Sequence, residues 1–345
     1  MAMRSTLLSL LCAVLLLSSV GSAQIEESTT RVLPAKLYNG YLVVVQGTIG
    51  SLEKRNLAID TGAYPSIVDR SIAKKLHLLG KNEELRVVDH NINTQGAFVP
   101  ELSIGPIRAK NFKVVVQDLT SISETFGVRV DALIGLDLLV YSSFRIDYRD
   151  KKVVFGPIDP LPMAAPMHWT DRMVCVDLKV NDQPAHLVVD TGAASLLLFG
   201  QRLPWTKGYN GDARGYNNLG GRFTLREVKA HSLALAGHEL GAGPVFISNA
   251  QNMTPFHFDG LLATGALPFR QIAFDFERQQ LEWEPASSRA DDVRRLATTE
   301  ARIAALSFAA AAPVSQFAIP GQCTMNGVSG SACGGSSPVM PLSTR

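Results

Sequence analysis

Leu57-Ala58-Ile59-Asp60-Thr61-Gly62-Ala63 recurs as Leu187-Val188-Val189-Asp190-Thr191-Gly192-Ala193. In both copies three apolar residues run into an Asp-Thr-Gly-Ala turn, and the two aspartates are 130 residues apart. An apolar run that ends this way reads as a strand stopping in a tight turn, with a carboxylate at its end. Gly permits the turn and the close approach of another backbone. Thr can bond locally or across to a matching copy. A single Asp-Thr-Gly is as easily an ordinary surface turn, so the weight falls on the pair.

The likeness continues downstream. Asp131-Ala132-Leu133-Ile134-Gly135 begins 71 residues after Asp60, and Asp259-Gly260-Leu261-Leu262-Ala263 begins 69 after Asp190. An acidic strand follows each, Phe144-Arg145-Ile146-Asp147-Tyr148 and Ala273-Phe274-Asp275-Phe276. A last apolar strand closes each copy, Lys152-Val153-Val154-Phe155 and Gln280-Leu281-Glu282-Trp283. Order and spacing persist while most residues differ, which predicts two copies of one domain. Asp147 and Asp275 read as strand ends facing solvent or a turn.

The body is β by pattern. Residues 41–45, 112–116 and 174–180 are β-branched or alternating runs bounded by Gly, Pro or Asn. One helix is predicted over Asp69–Leu79, ended by Gly80. Gly156–Pro162, with Pro166 just after, reads as a short stiff linker. The expected organisation is a first lobe over 32–157, a second over 166–286, and a tail over 287–345. In the tail a helix from Ser288 to about Ala311 gives way to a Gly/Ser/Ala/Pro-rich stretch.

The N-terminus reads as a secretory signal peptide, residues 1–23. Arg4 is followed by the apolar run Leu7–Leu17 and by Gly21-Ser22-Ala23, with cleavage after Ala23. The run is short for a membrane span, and Cys12 lacks the small residue of a lipoprotein site. Of 345 residues, 33 are Lys or Arg and 31 Asp or Glu. That balance, without a basic run, gives no case for nucleic acid. The mature chain keeps Cys175, Cys323 and Cys333. The last two are able to close a small tail loop, which leaves Cys175 as a buried apolar residue in a strand. No metal-ligand spacing appears, and no cofactor or metal is expected. Gly327-Val328-Ser329-Gly330 lacks strand-turn-helix context and reads as linker. Asn252-Met253-Thr254 is followed by Pro255, which disfavours glycosylation.

Chemically, two such turns can bring two carboxylates together across a pseudo-twofold axis. Neighbouring carboxylates cannot both ionise cheaply, so they share a proton. One then serves as general base and the other as general acid towards a water between them.

These motifs resemble the aspartic proteases. The paired DTGA turns, Leu133-Ile134-Gly135 and the run Asp131–Leu139 followed by Ile146-Asp147 are similar to bacterial retropepsin-like sequences. The two-copy chain resembles pepsin, and the likeness covers about residues 32–286. It implies an all-β fold of two retropepsin-like β-barrel lobes, with a short helix per lobe. It implies an Asp60/Asp190 dyad, supported by Thr61, Gly62, Ala63, Thr191, Gly192 and Ala193. Ile134, Gly135, Leu262 and Ala263 would pack the cleft. Flap hairpins are expected over Asn91–Phe98 and Asn217–Gly221. The partner would be a peptide or protein substrate, the enzyme a monomer in the periplasm or secreted, free of membrane after signal cleavage.

Three departures carry expectations. Ala263 stands where the first copy has Gly135, so its methyl should press on the second turn. Ala63 and Ala193 replace the Ser or Thr that pepsin-like enzymes carry, which should raise the dyad's pKa values and give a mildly acidic optimum. No Tyr lies on the first flap segment. The alternative to an active endopeptidase is a peptide-binding relative that lost turnover. A half-site chain that dimerises is disfavoured, because both halves sit in one chain.

Overall fold

A computed structural model describes residues 23–25, 30–88, 90–250, 255–286 and 309–311. It is mostly β, with two sheets that each contain a ring of six strands. The segment expected to be a signal peptide, up to Ser22, the expected Cys323–Cys333 loop, the Asn252-Met253-Thr254 stretch and Gly327–Gly330 lie outside the described residues. Among the described residues no helix is long and apolar enough to cross a membrane.

The two repeats place their Asp-Thr-Gly turns by the same strand arrangement. In the first, Leu52–Ile59 enters the turn between an antiparallel neighbour, Leu42–Ile49, and a parallel one, Ala132–Ile134. In the second, Gln183–Asp190 runs between antiparallel Met173–Val180 and parallel Gly260–Ala263. The registers agree: Ile134 lies opposite Ile59 and Leu262 opposite Val189, each one residue before the aspartate. These inner strands are covered on both faces, so Leu57, Ala58, Ile59, Leu187, Val188 and Val189 are all fully buried. Continuous apolar runs, rather than alternation, are what that environment demands. Cys175, on Met173–Val180, is free and buried among the core residues.

The first repeat's sheet continues into strands that join the repeats. The acidic strands expected to close each copy pair with each other: Phe144–Asp147 runs antiparallel to Phe269–Asp275, with Phe144 opposite Phe274. Those two rings stack with centroids 4.8 Å apart, a geometry that adds to the burial of two large apolar surfaces. Lys152–Phe155 and Arg31–Tyr38 extend the sheet on one side. Gln280–Pro285 and Met163–Pro166 extend it on the other.

Several expectations need correction here. Of the two settings expected for Asp147 and Asp275, a turn and not solvent is the one found: both are buried, and each caps the turn behind it by accepting an amide, from Asp150 and from Arg278, at 2.8 Å. The helix after Asp69 covers only Arg70–Lys75, because His77 adopts a positive φ and leaves Leu79 exposed. Helices are not shared evenly between the repeats. Among the described residues the α-helices Arg70–Lys75, Thr120–Phe126 and Leu136–Leu139 all belong to the first. The second has the 3₁₀ turns Pro204–Gly208 and Thr264–Ala266. In the tail, Ala309–Ala311 is a strand and not the end of a helix.

The Gly156–Pro162 connection is held down by polar anchors. Glu282 accepts from the Leu161 amide at 2.8 Å, and Arg278 donates to the Ile158 carbonyl at 3.2 Å. Arg278 also bridges Asp275 and Glu282, both at 2.8 Å, and both acids are buried. Removing the guanidinium strands two buried carboxylates. Arg278→Ala is therefore expected to cost about 2 kcal/mol, at the low end because Arg278 itself is 40% exposed and partly screened. Urea denaturation checks it, and no measurable loss would contradict the charge argument.

Candidate active site

The two turns meet and lock. The Thr61 amide donates to Thr191 Oγ1 at 3.0 Å, and the Thr191 amide donates to Thr61 Oγ1 at 3.1 Å. Each hydroxyl donates onward to the other repeat, Thr61 to the Val189 carbonyl at 2.6 Å and Thr191 to the Ile59 carbonyl at 2.9 Å. All of these groups are buried. The four bonds are reciprocal, so they fix the position of one turn against the other and not merely the shape of each.

The carboxylates follow from that lock. Gly62 and Gly192 each donate their amide to Oδ1 of the aspartate two residues back, at 3.0 and 2.8 Å. Each carboxylate leans over the opposite glycine. A Cβ added at Gly192 would lie 2.6 Å from Asp60 Cγ, and one at Gly62 would fall on the Asp190 carboxyl group. Only glycine leaves room at either place. Asp60 and Asp190 are both completely buried. Burial, and then the charge of Asp60, hold the Asp190 carboxyl well above the usual carboxylate range, against the opposing pull of the Gly192 amide. Ala63 and Ala193 are buried and bring no hydroxyl to the pair.

Behind the first turn lies a network that was not singled out in the sequence. Ser66 Oγ accepts from the Gly135 amide at 2.9 Å and donates to Asp137 Oδ1 at 2.6 Å; the Ser66 amide donates to Asp137 Oδ2 at 2.8 Å. Burial pushes Asp137 up to about 6, with the Ser66 bonds opposing. A carboxyl whose folded pKa is raised binds its proton more tightly when folded. Its contribution is present below the unfolded value of 3.8 and is lost as pH rises through about 6. Stability should fall by up to about 3 kcal/mol between pH 4 and 6 on account of this group. Asp137→Asn is expected to flatten that part of the stability profile; an unchanged slope in denaturation measurements would contradict the assignment.

Ile134, Gly135, Leu262 and Ala263 do not line a cleft. Ile134, Leu262 and Ala263 are fully buried in the core behind the turns. Gly135 approaches the first turn so closely that a Cβ would strike the Ala63 carbonyl. Ala263 holds the equivalent ladder position, opposite Asp190. Two residues on, Gly265 also approaches the second turn closely. The Gly265 amide donates to the Ala193 carbonyl at 3.3 Å, and a Cβ on Gly265 would lie 2.9 Å from that oxygen.

Tyr41 is the residue beside the dyad that the sequence did not reveal. It is buried, edge-on to Phe126 at 5.8 Å, and packed on the backbone of Gly265. Burial first, then the charges of Asp190 and Asp60, hold its hydroxyl far above its ordinary range. Among the described residues that hydroxyl has no hydrogen-bond partner. It heads an apolar strand that looks like plain core, and only the fold brings it to the aspartates.

Two hairpins close over this region. The first pairs Lys81–Arg86 with Asn91–Ile104, so the segment Asn91–Phe98 expected as a flap is one arm, and the bend lies just before it. The second pairs Asp212–Asn218 with Gly221–Leu235, turning at Leu219-Gly220, within the expected stretch. The bends touch: a Cβ on Gly220 would lie 2.6 Å from the His90 ring and 3.0 Å from Val87. Val87 and Leu219 share one apolar cluster with Tyr41 and Ala194, which accounts for the complete burial of the dyad.

Among the described residues no group of three or more His, Cys, Asp or Glu is placed to hold a metal ion. No curated protein matches the chain. Residues 45–138, which contain the first turn, its hairpin and the Ser66–Gly135–Asp137 network, match the family described as aspartyl protease.

Proposed function

We propose that the protein is an exported aspartic endopeptidase that hydrolyses peptide bonds of extended or unfolded polypeptides through a water activated by Asp60 and Asp190. The observation that carries this reading is the reciprocal Thr61/Thr191 lock, which holds each carboxylate over the other turn's glycine. The pair shares one proton. The ionised partner takes a proton from water as its oxygen attacks the scissile carbonyl carbon, while the protonated partner gives its proton to the carbonyl oxygen. Collapse of the gem-diol returns a hydroxyl proton to one carboxylate, breaks the C–N bond, and delivers the other carboxyl proton to the departing amine. No bond to the protein forms. Both halves of the dyad come from one chain, which favours a monomer, and the leader over residues 1–23 favours export.

The reaction needs one proton on the pair. Raising the upper of two coupled carboxyl groups extends the singly protonated form towards neutral pH. With Asp190 raised, the rate is expected to peak at mildly acidic pH and to fall on the basic side; a strongly acidic peak would contradict this.

The test is incubation of the chain from Gln24 with a reduced, unfolded protein. Cleavage at ordinary peptide bonds is expected, with no acyl transfer to added hydroxylamine. Retention of peptides without any cleavage would instead make this a peptide-binding protein.

A further inference from the structure

The strand Ala309–Ala311 belongs to the tail, yet it is paired inside the site region. On one edge it runs parallel to Ala63–Tyr64, the strand that directly follows Asp60-Thr61-Gly62, with Ala309 opposite Ala63. On its other edge it runs antiparallel to Lys81–Arg86, with Ala310 opposite Arg86 and Ala311 opposite Leu85. It therefore bridges the dyad turn and the first hairpin. Among the described residues, Ala63–Tyr64 has no other strand partner, and Lys81–Arg86 is paired only along its far edge, by Asn91–Ile104. Without the tail, two strand edges would face each other unpaired. Such edges bind an added strand through main-chain hydrogen bonds.

The sequence suits that place. Leu306-Ser307-Phe308-Ala309-Ala310-Ala311-Ala312-Pro313-Val314 is uncharged, and no Asp, Glu, Lys or Arg occurs between Arg302 and Arg345. Extended, residues 287–308 would reach about 70 Å, ample to return from the strand that ends at Pro285.

We propose that the slot between Ala63–Tyr64 and Lys81–Arg86 is a peptide-strand binding site, and that the chain's own segment Ala309–Ala311 occupies it as a resident competitor. An extended peptide entering beside Asp60 must displace it. The binding claim stands on the strand pairing; the consequence for hydrolysis rests on the protease reading above.

The test uses the full chain with Ala310→Pro, which removes an amide from a strand paired on both edges. Hydrogen exchange is followed at Ala63–Tyr64 and Leu85–Arg86, with the Phe144–Asp147 strand as an internal gauge of folding. At least tenfold faster exchange at the slot with the gauge unchanged is expected, and a synthetic peptide of residues 306–314 should slow it again. Unchanged exchange at the slot overturns the proposal. If the gauge also loosens, the added peptide decides: recovery of slow exchange at the slot supports the proposal, and no recovery overturns it. The same proteins are assayed for hydrolysis of a peptide substrate, where a severalfold higher rate for Ala310→Pro is expected. Faster slot exchange with an unchanged, measurable rate overturns the competitor role. Faster slot exchange with no hydrolysis by either protein upholds the strand site and removes the protease reading instead.

Discussion

Asp190→Asn is expected to lower the rate of peptide hydrolysis by at least about 10²–10⁴-fold and, at the same time, to raise the melting temperature at neutral pH. The two effects have one cause. Asp190 is completely buried beside Asp60, and its carboxyl is held above the ordinary range by burial and by that neighbouring charge. A raised carboxyl contributes stability below its unfolded pKa and loses it as pH climbs through the folded value. Asparagine has nearly the same shape, keeps an acceptor for the Gly192 amide, and carries no charge to bury. The gain in melting temperature should be present at pH 7 and absent near pH 3. Thermal denaturation at the two pH values, beside the rate, checks both halves. A variant that is inactive and less stable at pH 7 would mean that the carboxylate is held by compensating contacts.

Thr191→Val is expected to be among the most destabilising single changes in the molecule. Valine fills the same volume, so packing is retained. The lost hydroxyl leaves the Thr61 amide and the Ile59 carbonyl without their partner in a fully buried place. Each unsatisfied buried group costs about 1–3 kcal/mol, giving about 2–6 kcal/mol together. Thr61→Val should cost a similar amount, since it strands the Thr191 amide and the Val189 carbonyl. The rate should fall with either change, because the lock places the two carboxylates. Urea denaturation giving less than about 1 kcal/mol would show that water replaces these bonds.

Much of this was readable from the residues. The doubled turn with its apolar approach strand identified the inner strands, because a run buried on both faces must be continuously apolar. The repeated spacing to Ile134 and to Leu262 gave strands whose register matches in the two copies. What resisted reading was set by three-dimensional neighbours. Ala263 aligns with Gly135 by spacing alone; that Gly265, in the following 3₁₀ turn, also packs close to the second turn depends on the path of the chain and was not legible. Whether Asp147 and Asp275 face solvent or a turn was open in the sequence, because local pattern does not show that their strands pair with each other. Tyr41 had no local signal at all. Helix propensity in the tail favoured a helix through Ala311, yet two waiting strand edges outweigh propensity for an alanine segment.

The central claim is that one carboxylate from each repeat makes a single catalytic unit. Hydrolysis rates of the parent, Asp60→Asn, Asp190→Asn and the double variant on one unfolded substrate test it most directly. Groups that act as a unit are not additive. Each single change is expected to lower the rate to the same low level, and the double change to lower it no further; one single variant with near-parental turnover, or two losses that multiply in the double variant, would contradict a shared dyad.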